Sequence, residues 1–107
     1  MKKKHPNSIS DEVCVIQELK QDPEFAIEYL KVAFEEVDEP GGQYVLLKAL
    51  KRIAEAHGVA KVAKAAGIPR ESLYRVLSPK GNPRMNTLFA LIKAMGLQVT
   101  VQPLSAH

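Results

Sequence analysis

A chain of 107 residues with 46% hydrophobic content has room for one domain with a modest core. A single cysteine excludes a disulfide framework, no Cys/His cluster has zinc-ligand spacing, and no run approaches the ~20 apolar residues of a membrane span. The formal charge of +3 conceals a division: residues 1–42 carry five Lys against ten acids, a balance of −5, whereas residues 43–107 carry ten Lys or Arg against Glu55 and Glu71, a balance of +8.

These features read as a soluble cytoplasmic protein without metal or cofactor. The basic block suits a polyanion, and the acidic block suits a basic protein surface better than DNA. Either block is also compatible with an ordinary solvated face.

Residues 1–9 are expected to form a disordered tail, because the basic start is followed by Pro6 and Asn7 where a signal peptide needs an apolar run. A short helix is expected over residues 11–20, with Ser10 as its cap and Val13, Ile16, Gln17 and Leu19 loosely amphipathic. Asp22-Pro23 then starts a second helix, since Asp caps free amides and Pro is tolerated at the first helical position. It runs to about Val37 with Ala26, Leu30, Ala33 and Val37 in one stripe, Tyr29 and Phe34 beside it, and Glu24, Glu28, Lys31 and Glu35 opposite. Residues 10–42 thus form an acidic helical arm.

Residues 43–107 form the second unit. Its first helix, over 43–57, turns Leu46, Leu47, Leu50, Ile53 and Ala54 inward and Lys48, Lys51, Arg52 and Glu55 outward, and Gly58 ends it as a left-handed cap. From Val59 the spacing becomes that of a helix-turn-helix. Counting Val59 as the first position, a small residue is wanted at the fifth, glycine at the ninth, and apolar residues at the fourth, eighth, tenth, fifteenth and eighteenth. Ala63, Gly67, Val62, Ala66, Ile68, Leu73 and Val76 meet all seven demands.

The second helix of this motif, residues 70–77, would lie in the major groove. Leu73, Val76 and Leu77 face inward, leaving Arg70, Glu71, Tyr74 and Arg75 to read bases. Arg donates a bidentate pair to guanine and Glu accepts from cytosine, although a Glu71–Arg75 ion pair competes with the base contact. Lys61 and Lys64 on the first helix, with Ser78, Lys80, Asn82 and Arg84 in the following loop, suit phosphate contacts.

A last helix begins between Arg84 and Asn86 and ends at Gly96, with Met85, Leu88, Leu91, Ile92 and Met95 inward. Leu97, Val99 and Val101 then alternate with Gln98, Thr100 and Gln102 as in a strand. A lone strand needs a ladder partner, and the economical one is the same strand of a second copy, giving a two-fold dimer that matches a palindromic operator in double-stranded DNA. An extended tail packed on its own core is the alternative.

Several runs stand out together: Asp22-Pro23-Glu24-Phe25, Tyr29-Leu30-Lys31, Phe34-Glu35-Glu36, Gly67-Ile68-Pro69-Arg70-Glu71-Ser72-Leu73-Tyr74-Arg75-Val76-Leu77-Ser78, Gly81-Asn82-Pro83, and Met95-Gly96-Leu97-Gln98-Val99-Thr100-Val101. On these runs residues 22–102 resemble the HigA-like family of addiction-module antidotes, helix-turn-helix proteins of the lambda-repressor type. Pro69 departs from the Ser or Thr usual at its position, and residues 1–21 form a longer lead than the family has. The resemblance implies an all-α, lambda-repressor-like domain with an N-terminal helical extension and a short C-terminal β-strand. It also implies a RelE-superfamily toxin as partner, with antidote and toxin together repressing their own operon. With the acidic arm as counter-surface to a basic RNA-cutting toxin, Glu24, Glu28, Glu35 and Glu36 become charged contacts and Phe25 and Phe34 apolar anchors.

Enzyme activity has little support in the sequence. His5 and His107 lie near the ends, His57 closes a helix, and Cys14 reads as a small packing residue rather than a nucleophile. Two other readings stay open: a transcriptional regulator without a toxin, and an interaction module that has lost DNA binding.

Overall fold

The computed structural model describes residues 9–104, with side-chain surroundings from Val13 onward. Six helices follow one another: α1 (Ile9–Gln21), α2 (Pro23–Glu35), α3 (Gly42–His57), α4 (Val59–Ala66), α5 (Arg70–Val76) and α6 (Met85–Ala94). The expected tail over residues 1–8, His5 and His107 lie outside the described residues. Ile9 already belongs to α1, so Ser10 sits inside that helix rather than capping it.

The helices start and stop for local reasons. Asp22 caps α2 as its sequence context demands: its carboxylate accepts from the Glu24 and Phe25 amides at 3.1 and 3.3 Å, and Pro23 occupies the first helical position. Gly58 closes α3 and opens α4 at once. Its N–H donates to the Ala54 carbonyl at 2.8 Å and its carbonyl accepts from Val62 at 3.0 Å. Its φ of 104° and ψ of 109° lie outside the left-handed helical well, which corrects the expectation of a left-handed cap; this region is open to glycine alone.

α3 is the hub. Leu50, Ile53 and Ala54 are sealed from solvent, and α1, α2 and α4 all pack against this helix, while α6 lies on α4 and α5 on α4. Leu19 of α1 and Ala26, Leu30 and Ala33 of α2 enter the same core as Leu73, Leu77, Leu91, Ile92 and Met95, so one apolar cluster joins both charged halves of the chain. Among the described residues no polar or charged side chain is buried, and burial of Leu, Ile and Val side chains therefore supplies the stabilisation, ~1.5–3 kcal/mol for each large one.

Several inward assignments need correction. On α1 the packed residues are Val15, Ile16 and Leu19, whereas Val13, Gln17 and Cys14 face solvent. Lys48, Lys51, Arg52 and Glu55 are half-buried rather than outward, because α1 and α2 cover the flanks of α3 and leave their aliphatic stems packed. Met85 is 70% exposed instead of part of the α6 core stripe. A helical side chain leans over the turn that precedes its own Cα, and the first residue of α6 has a loop there in place of a helix turn.

The expected C-terminal strand is absent. Residues 97–104 carry no regular secondary structure, and among the described residues no segment lies alongside to complete a ladder. Leu97 remains half-buried against the core, and from Val99 onward the segment is exposed, with Val101 at 96% and Leu104 at 98%.

Leu50→Ala should lower stability by about 2–5 kcal/mol, since the cavity it leaves lies at the hub, whereas Met85→Ala should stay within ~0.5 kcal/mol. Urea unfolding midpoints of the two variants measure the contrast.

Candidate functional site

The turn from α4 to α5 occupies three residues, 67–69. Gly67 adopts the left-handed conformation, φ 76° and ψ 28°, and the chain closes the end of α4 with two bonds. The Gly67 N–H donates to Lys64 at 3.1 Å and the Ile68 N–H reaches back to Ala63 at 3.0 Å, the pair of bonds of a Schellman motif. Ala63 itself is buried, so its small side chain lets α5 come close to α4. Pro69 sits extended at the head of α5 and makes no side-chain cap.

This turn fixes which face of α5 is presented. Leu73 is fully buried, Leu77 just beyond the helix nearly so, and Val76 half-buried. Arg70, Glu71, Tyr74 and Arg75, the four expected readers, all stand exposed on the other side. The Arg70 guanidinium lies over the Tyr74 ring at 6.0 Å from its centroid, which aligns the two as one surface. Arg75 Nη2 donates to Ser72 Oγ at 3.2 Å, so the competing partner of Arg75 is Ser72 rather than Glu71. The face thus combines forked donors, one carboxylate acceptor and a phenol, a set able to hydrogen-bond base edges and phosphates.

Flanking it, Lys61 and Lys64 are exposed on α4, and Lys80, Asn82 and Arg84 are exposed in the loop. Ser78 differs from the rest of this group, being half-buried with its hydroxyl donating to the Arg75 carbonyl at 2.8 Å. The loop itself is shaped by Gly81. Its N–H donates to Ser78 at 2.8 Å, and a Cβ there would overlap the Val76 carbonyl, so only glycine lets the chain fold back on the end of α5. Gln43 Nε2, from the start of α3, donates to the Gly81 carbonyl at 3.4 Å and ties the loop to the hub. Sequence reading gave Gln43 no such role, because no local pattern signals a contact made 38 residues away.

The six residues assigned to a protein partner divide between two grooves. Phe34 and Glu35 line one of about 450 Å³ between α2 and the C-terminal segment, together with Ile27 and Val99. Phe25, Glu28 and Glu36 line another of about 370 Å³ between α2 and α3, where Val32, Val45, Lys48 and Arg52 complete the walls. Glu24 is exposed on the first turn of α2. The Phe25 and Tyr29 rings meet at a tilt of 42° with centroids 5.7 Å apart, and Arg52 Nη1 donates to the Tyr29 hydroxyl at 3.0 Å, which stitches α2 to α3 in the wall of the second groove.

The chain belongs to a family described as probable addiction-module antidote proteins, whose model matches residues 12–103. It is also 37% identical over 75 residues to an uncharacterized protein of Haemophilus influenzae, covering 70% of this chain and 77% of that one. No solved structure matches it. Family membership supports an antitoxin role in an addiction module and implies a cognate toxin as partner. Among the described residues no helix is long and apolar enough to cross a membrane.

Gly81→Ala should cost about 1–3 kcal/mol, because the loop must move off the Val76 carbonyl to admit the methyl group. Amide NMR shifts should change over residues 76–84 and at Gln43, while those of α1 stay in place.

Proposed function

We propose that this antitoxin is a sequence-specific DNA-binding repressor that represses its own operon and neutralises a RelE-superfamily toxin in the cytoplasm. The observation that carries the reading is the exposed face of α5. Four side chains able to bond base edges stand on a seven-residue helix whose other side is buried, held by the Gly67 turn within the basic half of the chain. On this reading α4 and α5 form a helix-turn-helix of the lambda-repressor type, and α5 enters the major groove with Arg70, Glu71, Tyr74 and Arg75 toward the bases. Lys61, Lys64, Lys80, Asn82 and Arg84 meet phosphates on either side and set the register, and Ser78 supports the loop that carries three of them.

A palindromic operator needs two copies, and the C-terminal segment is the surface offered for the second. Leu97, Val99 and Val101 alternate along an extended stretch whose backbone has no ladder, so pairing with its equivalent in another copy would satisfy both chains.

Arg70→Ala or Arg75→Ala should relax preference at one base position per half-site, at a cost of about 1–3 kcal/mol. Lys61→Ala or Lys80→Ala should weaken all sequences alike and flatten the salt dependence. Binding assays across operator variants and salt concentrations separate the two pairs; identical behaviour would remove α5 as the reading helix.

Truncation after Gly96 should leave helical content intact yet yield monomers, with a steep loss of operator affinity as the two half-sites become unlinked. Sedimentation velocity measures the first and gel shift the second. A dimer that survives truncation would direct attention to Met85 and Phe89, two exposed apolar side chains one turn apart on α6.

A further inference from the structure

The groove between α2 and α3 has a chemistry of its own. Phe25, Glu28, Tyr29, Val32 and Glu36 recur at helical spacing along one face of α2, and Val45, Lys48 and Arg52 do so along α3. From residue 25 to residue 36 the trough is ~16 Å long at 1.5 Å rise per residue, the length of about three helical turns. Its apolar side chains are left in water: Val32 is 47% exposed and Val45 46%. A wall three turns long on α2 faces one about two turns long on α3, and the unfilled apolar positions between them form the seat that an amphipathic helix takes.

The two rims differ in charge. Glu28 and Glu36 stand exposed along α2, in the part of the chain that carries the acidic excess. The two cations that line the α3 rim keep their charge and are held in place: Lys48 Nζ lies 5.7 Å from the Tyr44 ring centroid, and Arg52 Nη1 donates to the Tyr29 hydroxyl. An occupant therefore meets carboxylates on one flank, cations on the other and an apolar floor between, and needs its positive charge along the side that faces α2. This chain's own basic excess lies on the elements assigned above to DNA, so a second copy docked here would take them away from that task.

We propose that the α2–α3 groove seats an amphipathic helix of the cognate toxin, its apolar side chains against Val32 and Val45 and its basic flank along Glu28 and Glu36. This rests on the reading of the chain as the neutralising partner of a protein toxin. It selects one of the two grooves, and it separates Phe25, Glu28 and Glu36 from Phe34 and Glu35, which face the other.

The test uses the full chain co-expressed with the protein encoded by the adjacent reading frame, with affinity measured on the purified pair. Val32→Asp and Val45→Asp should each weaken the complex by at least ~30-fold, as expected when a buried anchor position is lost. Ile27→Asp, in the other groove, should leave it unchanged. Glu28→Lys combined with Glu36→Lys should weaken it about tenfold at low salt, with the difference closing as salt rises. Circular dichroism and binding to the promoter fragment upstream of its own gene establish that each variant is folded.

If Val32→Asp leaves a wild-type-strength complex, the groove is overturned and the antitoxin reading stands. If the wild-type chain captures nothing, the toxin reading falls and takes the groove's occupant with it. If Val32→Asp instead converts a dimer of the chain alone into monomers, the occupant is a second copy and the proposal is overturned.

Discussion

Everything in this molecule is organised by the burial of one face of α3. Leu50, Ile53 and Ala54 have no exposed surface, and the elements around them have nothing else in common: an acidic pair of helices on one side, a basic helical pair and α6 on the other. The core contains no polar side chain among the described residues, and the Arg52–Tyr29 bond that ties α3 to α2 lies at its half-buried edge. Within the core itself shape and turn chemistry set how the helices lie, which is why Gly58, Gly67 and Gly81 stand where the path of the chain changes. Each allows a backbone geometry or an approach that a side chain would obstruct.

This explains why so much of the fold was legible from residue spacing. A helix that buries one face in a single core writes that face into the sequence at intervals of three and four, and the stripes Ala26, Leu30, Ala33 and Leu46, Leu50, Ile53 are of this kind. Asp22-Pro23 and Gly67 act through their own neighbours, so their roles too were readable. Where the reading failed, the cause was not local. Val13 and Met85 have the right chemistry for a core, but they sit at places where no other element covers them. Residues 97–102 have the alternation of a strand, but a strand also needs a ladder partner, and none of the described residues supplies one. The tie from Gln43 to Gly81 depends on how α3 lies relative to the loop, which no local pattern encodes.

The candidate reading face was legible for the same reason as the core. Once Leu73 and Leu77 are inward, geometry puts Arg70, Glu71, Tyr74 and Arg75 outward, and the structure adds only how they are held: Arg70 on Tyr74, Arg75 on Ser72. The candidate partner surface was legible only as composition. Counting acids locates a charged arm, yet Phe25 and Phe34 point to different grooves because they lie nine residues apart on a helix of 3.6 residues per turn, with different neighbours across the way.

The division of charge also has a bearing on how the molecule meets its surroundings before any contact is made. Acidic side chains crowd α2 and the turn after it, basic ones populate α4, α5 and the loop beyond, and α3 stands between the two sets. Charges of opposite sign set on different elements in this way amount to an electric dipole. In the field of a polyanion the dipole exerts a torque, so the chain approaches with α4 and α5 leading and α2 trailing, and the fraction of collisions that arrive face first exceeds what random tumbling would supply. A modest net charge of +3 therefore understates how strongly this molecule is oriented by its neighbours.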